Sequence, residues 1–221
     1  MELGPAIAHS GKGEQTMQNL LAAARKLFAE RGFRSTSVRD IANEAGSNVA
    51  AVNYHFGSKE NLYREVFRGH KVAARERGAA AVEEILKETN GRPSVESVLE
   101  AFARGSRKGR KLSETRIWLM LMNRELLEPH LEPQFGFEEI IQPLLQILSR
   151  AISAASPDLG AKSMHMCIHS FLAQLAHMDN LQVYLGALDS KEIPMLDFDE
   201  AIRHIVNFTS AGIKGVQNQE I

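Results

Sequence analysis

Asn48, Ala50 and Asn53 stand close together near the start of the chain, with Lys59 shortly after them. An asparagine amide presents a donor and an acceptor side by side, which matches the adenine edge in a DNA major groove, and an alanine permits close approach or contact with a thymine methyl. Lys59 follows Ser58, a residue type that caps the start of a helix. A cation there faces the positive end of the helix dipole and is disfavoured unless an anion is at hand; a DNA phosphate would be that anion. A second set, His165, Cys167 and His169 with His177 beyond, has metal-binding residue types. Histidines at i and i+4 share a helix face, but Cys167 points elsewhere and no acidic or thiol partner stands at zinc-finger spacing. Structural histidines are the simpler reading of that set.

For Asn48 and Asn53 to reach a groove, a short helix must carry them outward, and the stretch 36–59, TSVRDIANEAGSNVAAVNYHFGSK, supplies it. Ser35, Thr36 and Ser37 are cap-forming residues ahead of Val38, Ile41, Ala42 and Ala45 at helical spacing, which predicts a helix over 37–45. Gly46, able to take a positive φ, ends it. Ser47 or Asn48 caps the next helix, expected over 48–55 with Val49 and Val52 packed inward. The pair reads as a helix-turn-helix. Upstream, Leu20, Leu21, Ala24, Leu27 and Phe28 predict an amphipathic support helix over 18–31, stopped by Gly32 with Phe33 beneath. Downstream, a long helix starts at Ser58, turns Leu62, Tyr63, Val66 and Phe67 inward, and is expected to run to about Thr89, bent near Gly69 or Gly78.

Residues 16–67 resemble the DNA-binding domain of the TetR family of transcriptional repressors, most specifically in AAARKLFAERGFRSTSVRDIANEAG at 22–46 and VNYHFGSKENLY at 52–63. Carried over position by position, the resemblance implies phosphate contacts from Thr36, Ser37, Tyr54 and Lys59. It implies base contacts from Asn48, Val49, Ala50 and Asn53, with His55 as a further candidate. The recognition helix departs from many relatives in opening Asn48-Val49-Ala50-Ala51, without Lys or Arg. Fewer direct base hydrogen bonds and more reliance on apolar contact and DNA shape are implied. The stretch from Asn123 through Pro129 and Pro133 to Ile152 resembles the C-terminal domain of one TetR subgroup, found in a repressor of an efflux-pump operon.

The chain has 221 residues, 44% hydrophobic and 24% charged, the make-up of an ordinary soluble protein. Its net charge of −1 conceals a segregation: residues 1–80 hold 12 Lys/Arg against 8 Asp/Glu, and residues 81–221 hold 14 against 19. A basic head and an acidic body suit nucleic-acid binding by the head. The single Cys167 excludes an intramolecular disulfide, and no apolar run nears the ~20 residues of a membrane span. The opening MELGPAIAHSGKGEQ lacks a leader pattern. The expected organisation is a flexible arm over 1–15, a helix-turn-helix domain over 16–62 and a body over 63–221, in the cytoplasm. No Gly-rich phosphate loop, nucleophile elbow or acid–base pair marks an enzyme, Cys167 in an apolar helix is not an activated thiol, and no cofactor is expected.

Beyond residue 67 there is no strand alternation, so the fold is expected to be all-α, with a three-helix N-terminal domain and a larger helical domain. Helices are expected over 95–104, 115–127, 135–152 with a kink at Pro143, 161–185 and 198–216. The basic run RGSRKGRK at 104–111 reads as a solvated loop in preference to a second phosphate contact. The resemblance implies a body that binds a small molecule, for which Phe102, Trp118, Met122, Phe135, Phe137 and Phe171 are candidate lining; residues of these types also simply fill cores. Arg124, beside Glu125 in an apolar helix, would be costly to bury unpaired, so it pairs, reaches the surface or orients a ligand. In the last helix Phe198, Ala201, Ile202, Ile205, Phe208, Ile213 and Val216 share one side, a face suited to a four-helix interface between two copies. The combined expectation is a homodimeric repressor on palindromic double-stranded operator DNA, released by a small, largely apolar effector. The alternatives are a metal- or redox-responsive regulator using His165, His169 or Cys167, and a module whose head docks protein.

Overall fold

The computed structural model describes residues 11–186 and 197–220, and among these residues there is no strand. In chain order the helices are α1 (Gly11–Arg31), α2 (Val38–Glu44), α3 (Val49–Phe56), α4 (Lys59–Glu88), α5 (Val95–Arg107), α6 (Leu112–Leu127) and α7 (Pro133–Gly136), then a π turn (Phe137–Ile141), α8 (Gln142–Ala155), α9 (Ala161–Gly186) and α10 (Phe198–Glu220). Of the arm expected over 1–15, residues 1–10 lie outside the described residues, while residues 11–15 are already helical.

The chain forms two compact units, the first comprising the residues up to Gly69 together with Ile117–Leu131. The head expected to close at residue 62 therefore extends to Gly69 and takes in most of α6. Its core is built from Leu20, Leu27 and Phe28 of α1, Ile41 of α2, Val52 of α3 and Leu62, Val66 and Phe67 of α4. A chain of aromatic rings runs through it: Phe28 meets Tyr63 edge-on at 4.9 Å, Tyr63 meets Phe67 at 5.0 Å, and Phe67 meets Trp118 of α6 at 5.5 Å. Each such pair adds about 0.5–1.5 kcal/mol beyond the area buried. Gly46 has φ 61, the left-handed conformation that lets α2 end and places the α3 N-cap, Asn48, two residues later.

The second unit comprises His70–Arg116 and Glu132–Ile221. Val98, Leu99 and Phe102 of α5, Leu148 and Ile152 of α8, Ile168 and Phe171 of α9 and Ile202 and Ile213 of α10 form its buried centre. α4 and α5 cross at two glycines: a Cβ on Gly105 would stand 2.7 Å from the Ala81 Cβ and 2.8 Å from the Arg77 carbonyl oxygen, and one on Gly78 would stand 2.9 Å from Phe102. The helix expected over 135–152 is interrupted. Pro143 has no N–H to offer the Glu139 carbonyl, and the Gln142 N–H bonds back to Phe137, so the first turn takes π geometry and regular α-helix resumes only at Gln142.

The basic run at 104–111 is not the solvated loop expected of it. Arg107 donates from Nε and Nη2 to the two carboxylate oxygens of Asp179 on α9, at 3.1 and 3.0 Å, and also to the Leu175 carbonyl. Arg110 reaches the same carboxylate at 2.8 Å. All three side chains are close to nine-tenths buried, and burial pulls the Arg107 pKa below its ordinary value against the opposing pull of Asp179. Charge runs are solvated only where no acid on a neighbouring helix meets them, and Asp179 stands far away in sequence.

The apolar face of α10 is likewise turned inward: Ile202, Ile205 and Ile213 are buried in the core of their own unit. What remains outside on α9 and α10 is narrower and consists chiefly of Met166, Tyr184 and Phe208, each about two-thirds exposed, with His169, His177 and His204 among them.

Candidate nucleic-acid interface

Two capped helices build the helix-turn-helix. At the start of α2, Ser37 and Asp40 form a reciprocal capping box: the Asp40 N–H donates to the Ser37 hydroxyl oxygen at 3.1 Å and the Ser37 N–H donates to the Asp40 carboxylate at 2.9 Å. The Ser37 hydroxyl also donates to that carboxylate, at 2.6 Å. These bonds hold the Asp40 carboxyl below the usual carboxylate range. At the start of α3, the Asn48 carbonyl oxygen of the side chain accepts the Ala51 N–H at 2.9 Å. An ion pair between Lys26 and Glu44, at 2.7 Å, ties α1 to the end of α2; it raises the lysine pKa and lowers the glutamate's.

α3 divides into two sides. Val52 and Phe56 seat it in the core, while Val49, Ala50, Asn53 and Tyr54 are exposed, Tyr54 at 69%. His55 is half-buried, its ring 5.0 Å from that of Tyr54. The outer side thus collects an amide, a phenol, an imidazole and small apolar groups on one continuous face. Val49, expected to pack inward, lies on that outer side at 39% exposure.

Three sequence-derived assignments change at the level of atoms. Thr36 has no accessible surface, and its hydroxyl donates to the Gly32 and Leu27 carbonyls at 2.8 and 3.2 Å. It anchors the turn before α2 and cannot touch a phosphate. Asn48 is first a helix cap, which leaves its NH2 group as the part able to meet a base. Lys59 is folded back: its Nζ lies 4.2 Å from the centre of the Phe33 ring, and burial lowers its pKa. Meeting a phosphate requires it to swing off that ring.

Sequence reasoning passed over Arg39, an exposed cation in the first turn of α2. Like Lys59, it sets a positive charge at the positive end of a helix. Arg34 is exposed in the turn ahead.

The residues expected to line an effector pocket are divided between the two units. Trp118, Met122 and Arg124 belong to the first unit and Phe102, Phe135, Phe137 and Phe171 to the second. Trp118 packs on Phe67 in the core, and Phe102 faces Phe171 at 6.3 Å in the centre of the second unit. Phe137 is 51% exposed on the π turn. Arg124 donates to the carbonyls of Ala29 and Glu30 at the end of α1, at 2.8 and 2.7 Å, and is a helix cap, not a ligand clamp. The second unit instead contains a cavity of about 570 Å3 where α4 crosses α5, with Ala81, Ile85 and Phe198 beside Glu88, Arg104 and Lys108. His165 and His169 are exposed on α9 with Cys167 half-buried, and among the described residues no three His, Cys, Asp or Glu side chains gather as a metal site. Among the same residues no helix is long and apolar enough to cross a membrane.

Comparison with known proteins adds an independent line. Residues 20–66 match the family described as bacterial regulatory proteins, tetR family, and residues 99–212 match the tetracyclin repressor-like C-terminal domain. The chain is similar to the HTH-type transcriptional dual regulator CecR of Shigella flexneri, 33% identical over 173 residues that cover 72% of each protein. It is similar to the HTH-type transcriptional repressor KstR2 of Rhodococcus jostii, 48% identical over 65 residues, 29% of this chain and 31% of that one. Among solved structures, a transcriptional regulator from Pseudomonas aeruginosa PAO1 superposes with a TM-score of 0.67 at 17% identity, over 93% of this chain and 91% of that one. The TetR-family regulator PfmR from Thermus thermophilus superposes with a TM-score of 0.53 at 22% identity, over 87% and 97%. At such identities the structural likeness concerns fold alone.

Proposed function

The chain belongs to the TetR family of DNA-binding transcriptional regulators, and from that premise we propose that it represses transcription as a homodimer on a palindromic operator, from which a small molecule releases it. It is a regulator and not an enzyme, as are the proteins it matches. The observation that carries the DNA-binding surface is the two-sidedness of α3: Val52 and Phe56 hold it to the core while Val49, Ala50, Asn53 and Tyr54 stand outside. Asn53 and the NH2 group of Asn48 read base edges, and Val49 and Ala50 contact thymine methyls. Tyr54, His55, the Ser37 end of α2, Arg39 and an unfolded Lys59 meet phosphates. One such helix covers a few base pairs, so specificity calls for two copies spaced by one turn of DNA.

The outer strip of Met166, Tyr184 and Phe208 is the proposed dimer contact. The cavity at the α4–α5 crossing is the proposed effector site, and its volume of about 570 Å3 suits a small organic molecule. Because Arg104, Lys108 and Glu88 share it with apolar side chains, the effector is amphipathic, a revision of the largely apolar one expected at first. Operator binding is tested by selecting duplexes from a random pool and titrating the winner. Binding that is specific, two chains per duplex and steeply salt-dependent is expected; recovery of no preferred sequence would reject the proposal.

A further inference from the structure

Phe33 and Lys59 meet in the reading unit from two different turns. Phe33 stands between α1 and α2, where its carbonyl accepts the Thr36 N–H at 3.3 Å. Lys59 opens α4, three residues after the end of α3. The turn between those helices is fixed: Gly57 has φ 73 and its N–H donates to the Asn53 carbonyl at 2.9 Å, and the Ser58 hydroxyl oxygen accepts the Asn61 N–H at 3.1 Å. The Lys59 backbone is therefore locked to the reading helix, and only its side chain is left to move.

That side chain is held by a ring. Its Nζ lies 4.2 Å from the centre of Phe33, whose π face attracts a cation. Burial lowers the lysine pKa, and the Glu60 charge offsets this only in part. The ring cannot follow the lysine outward: Phe28 stacks on it at 5.8 Å, Tyr63 meets it edge-on at 5.0 Å and the His130 ring lies 4.6 Å away. A phosphate sets a full negative charge against the quadrupole of the ring, so a duplex docked on α3 can draw the ammonium off.

We propose that Phe33 is a positioning residue for operator binding: it holds Lys59 back until a phosphate arrives, and the strength of that hold is subtracted from the strength of the phosphate contact. This rests on the operator-binding reading above. The ring thus tunes affinity without touching DNA.

Titrating the selected duplex with four full chains, the unmodified protein, Phe33→Leu, Lys59→Ala and the double variant, separates the hold from any effect of Phe33 on the fold. With Lys59 present, Phe33→Leu should tighten binding by about two- to fivefold relative to its effect in Lys59→Ala. Phe33→Tyr, which keeps the ring face, should bind as the unmodified protein does. Lys59→Ala should lower the slope of log affinity against log salt by about 0.9, while Phe33→Leu leaves it unchanged because the phosphate contact survives. The Lys59 ε-methylene protons should resonate upfield in the free protein, under the ring current, and move back when duplex is added. Equal effects of Phe33→Leu in the two backgrounds would mean a purely structural ring and would overturn the proposal. So would a loss of affinity relative to the Lys59→Ala background, Phe33→Tyr behaving like Phe33→Leu, or Lys59 resonances indifferent to duplex. An unchanged salt slope in Lys59→Ala, with Asn53→Ala still weakening binding, would overturn this proposal alone. A pool that yields no preferred duplex would reject the operator-binding reading, and the role of Phe33 with it.

Discussion

Asn48 and Asn53 carry the same side chain and are given different work by a shift of five positions. Asn48 caps α3, so Asn48→Ala should cost about 1 kcal/mol of stability along with some operator affinity. Asn53 makes no contribution to the core, so Asn53→Ala should leave the urea midpoint in place and weaken operator binding by about 1–3 kcal/mol, preferentially for one base pair. Titrating both variants against the selected duplex, and melting both in urea, separates the roles. Asp40 gives a pH signature. Its pKa is depressed below 3.8 by the Ser37 hydrogen bonds, so the capping box contributes fully above that value and its contribution fades as pH falls through the lower folded-state value. The stability gap between the unmodified protein and Asp40→Asn should therefore close below about pH 4, read from urea melts across that range.

At the scale of elements, the α4–α5 crossing is the most sharply constrained feature. Gly105→Ala places a methyl 2.7 Å from the Ala81 Cβ, with the Arg77 carbonyl equally close; backbone cannot give way as a flexible side chain can. A loss of about 1–3 kcal/mol in urea denaturation is expected, with the cavity at the crossing reshaped. The sequence patterns foretold the helices around the reading surface because their signals are local: caps at Ser37, Asn48 and Ser58, a positive-φ glycine at Gly46, and apolar spacing across α1 and α4. What escaped was set by partners distant along the chain. Sequence leaves Arg124 to pair, reach the surface or orient a ligand, and the end of α1 decides it; the basic run at 104–111 reads as solvated until Asp179 meets it; and Thr36, a phosphate contact by resemblance, is taken up by the Leu27 and Gly32 carbonyls, which carry no sequence mark. The expected kink at Pro143 takes the form of a π turn at 137–141, a form that the proline alone does not specify.

For the whole molecule, the proposed self-association and operator binding would be separate equilibria joined by geometry. Phe208 is 64% exposed on α10, and Phe208→Glu should shift the protein toward monomer in sedimentation velocity while the helical content stays the same. Operator affinity should then fall far more than any loss of contacts to one half-site explains, because the second reading helix is no longer delivered to the next groove.

Along the whole of α9 the only fixed charges are Lys162 and Asp179, and Asp179 is consumed internally by two guanidinium groups. The flank offered outward by this helix is thus nearly blind to ionic strength, whereas the grip on a polyanion is not. Raising the salt should strip the regulator from its promoter as intact pairs, leaving particles of unchanged mass to rebind when the counterions are diluted away.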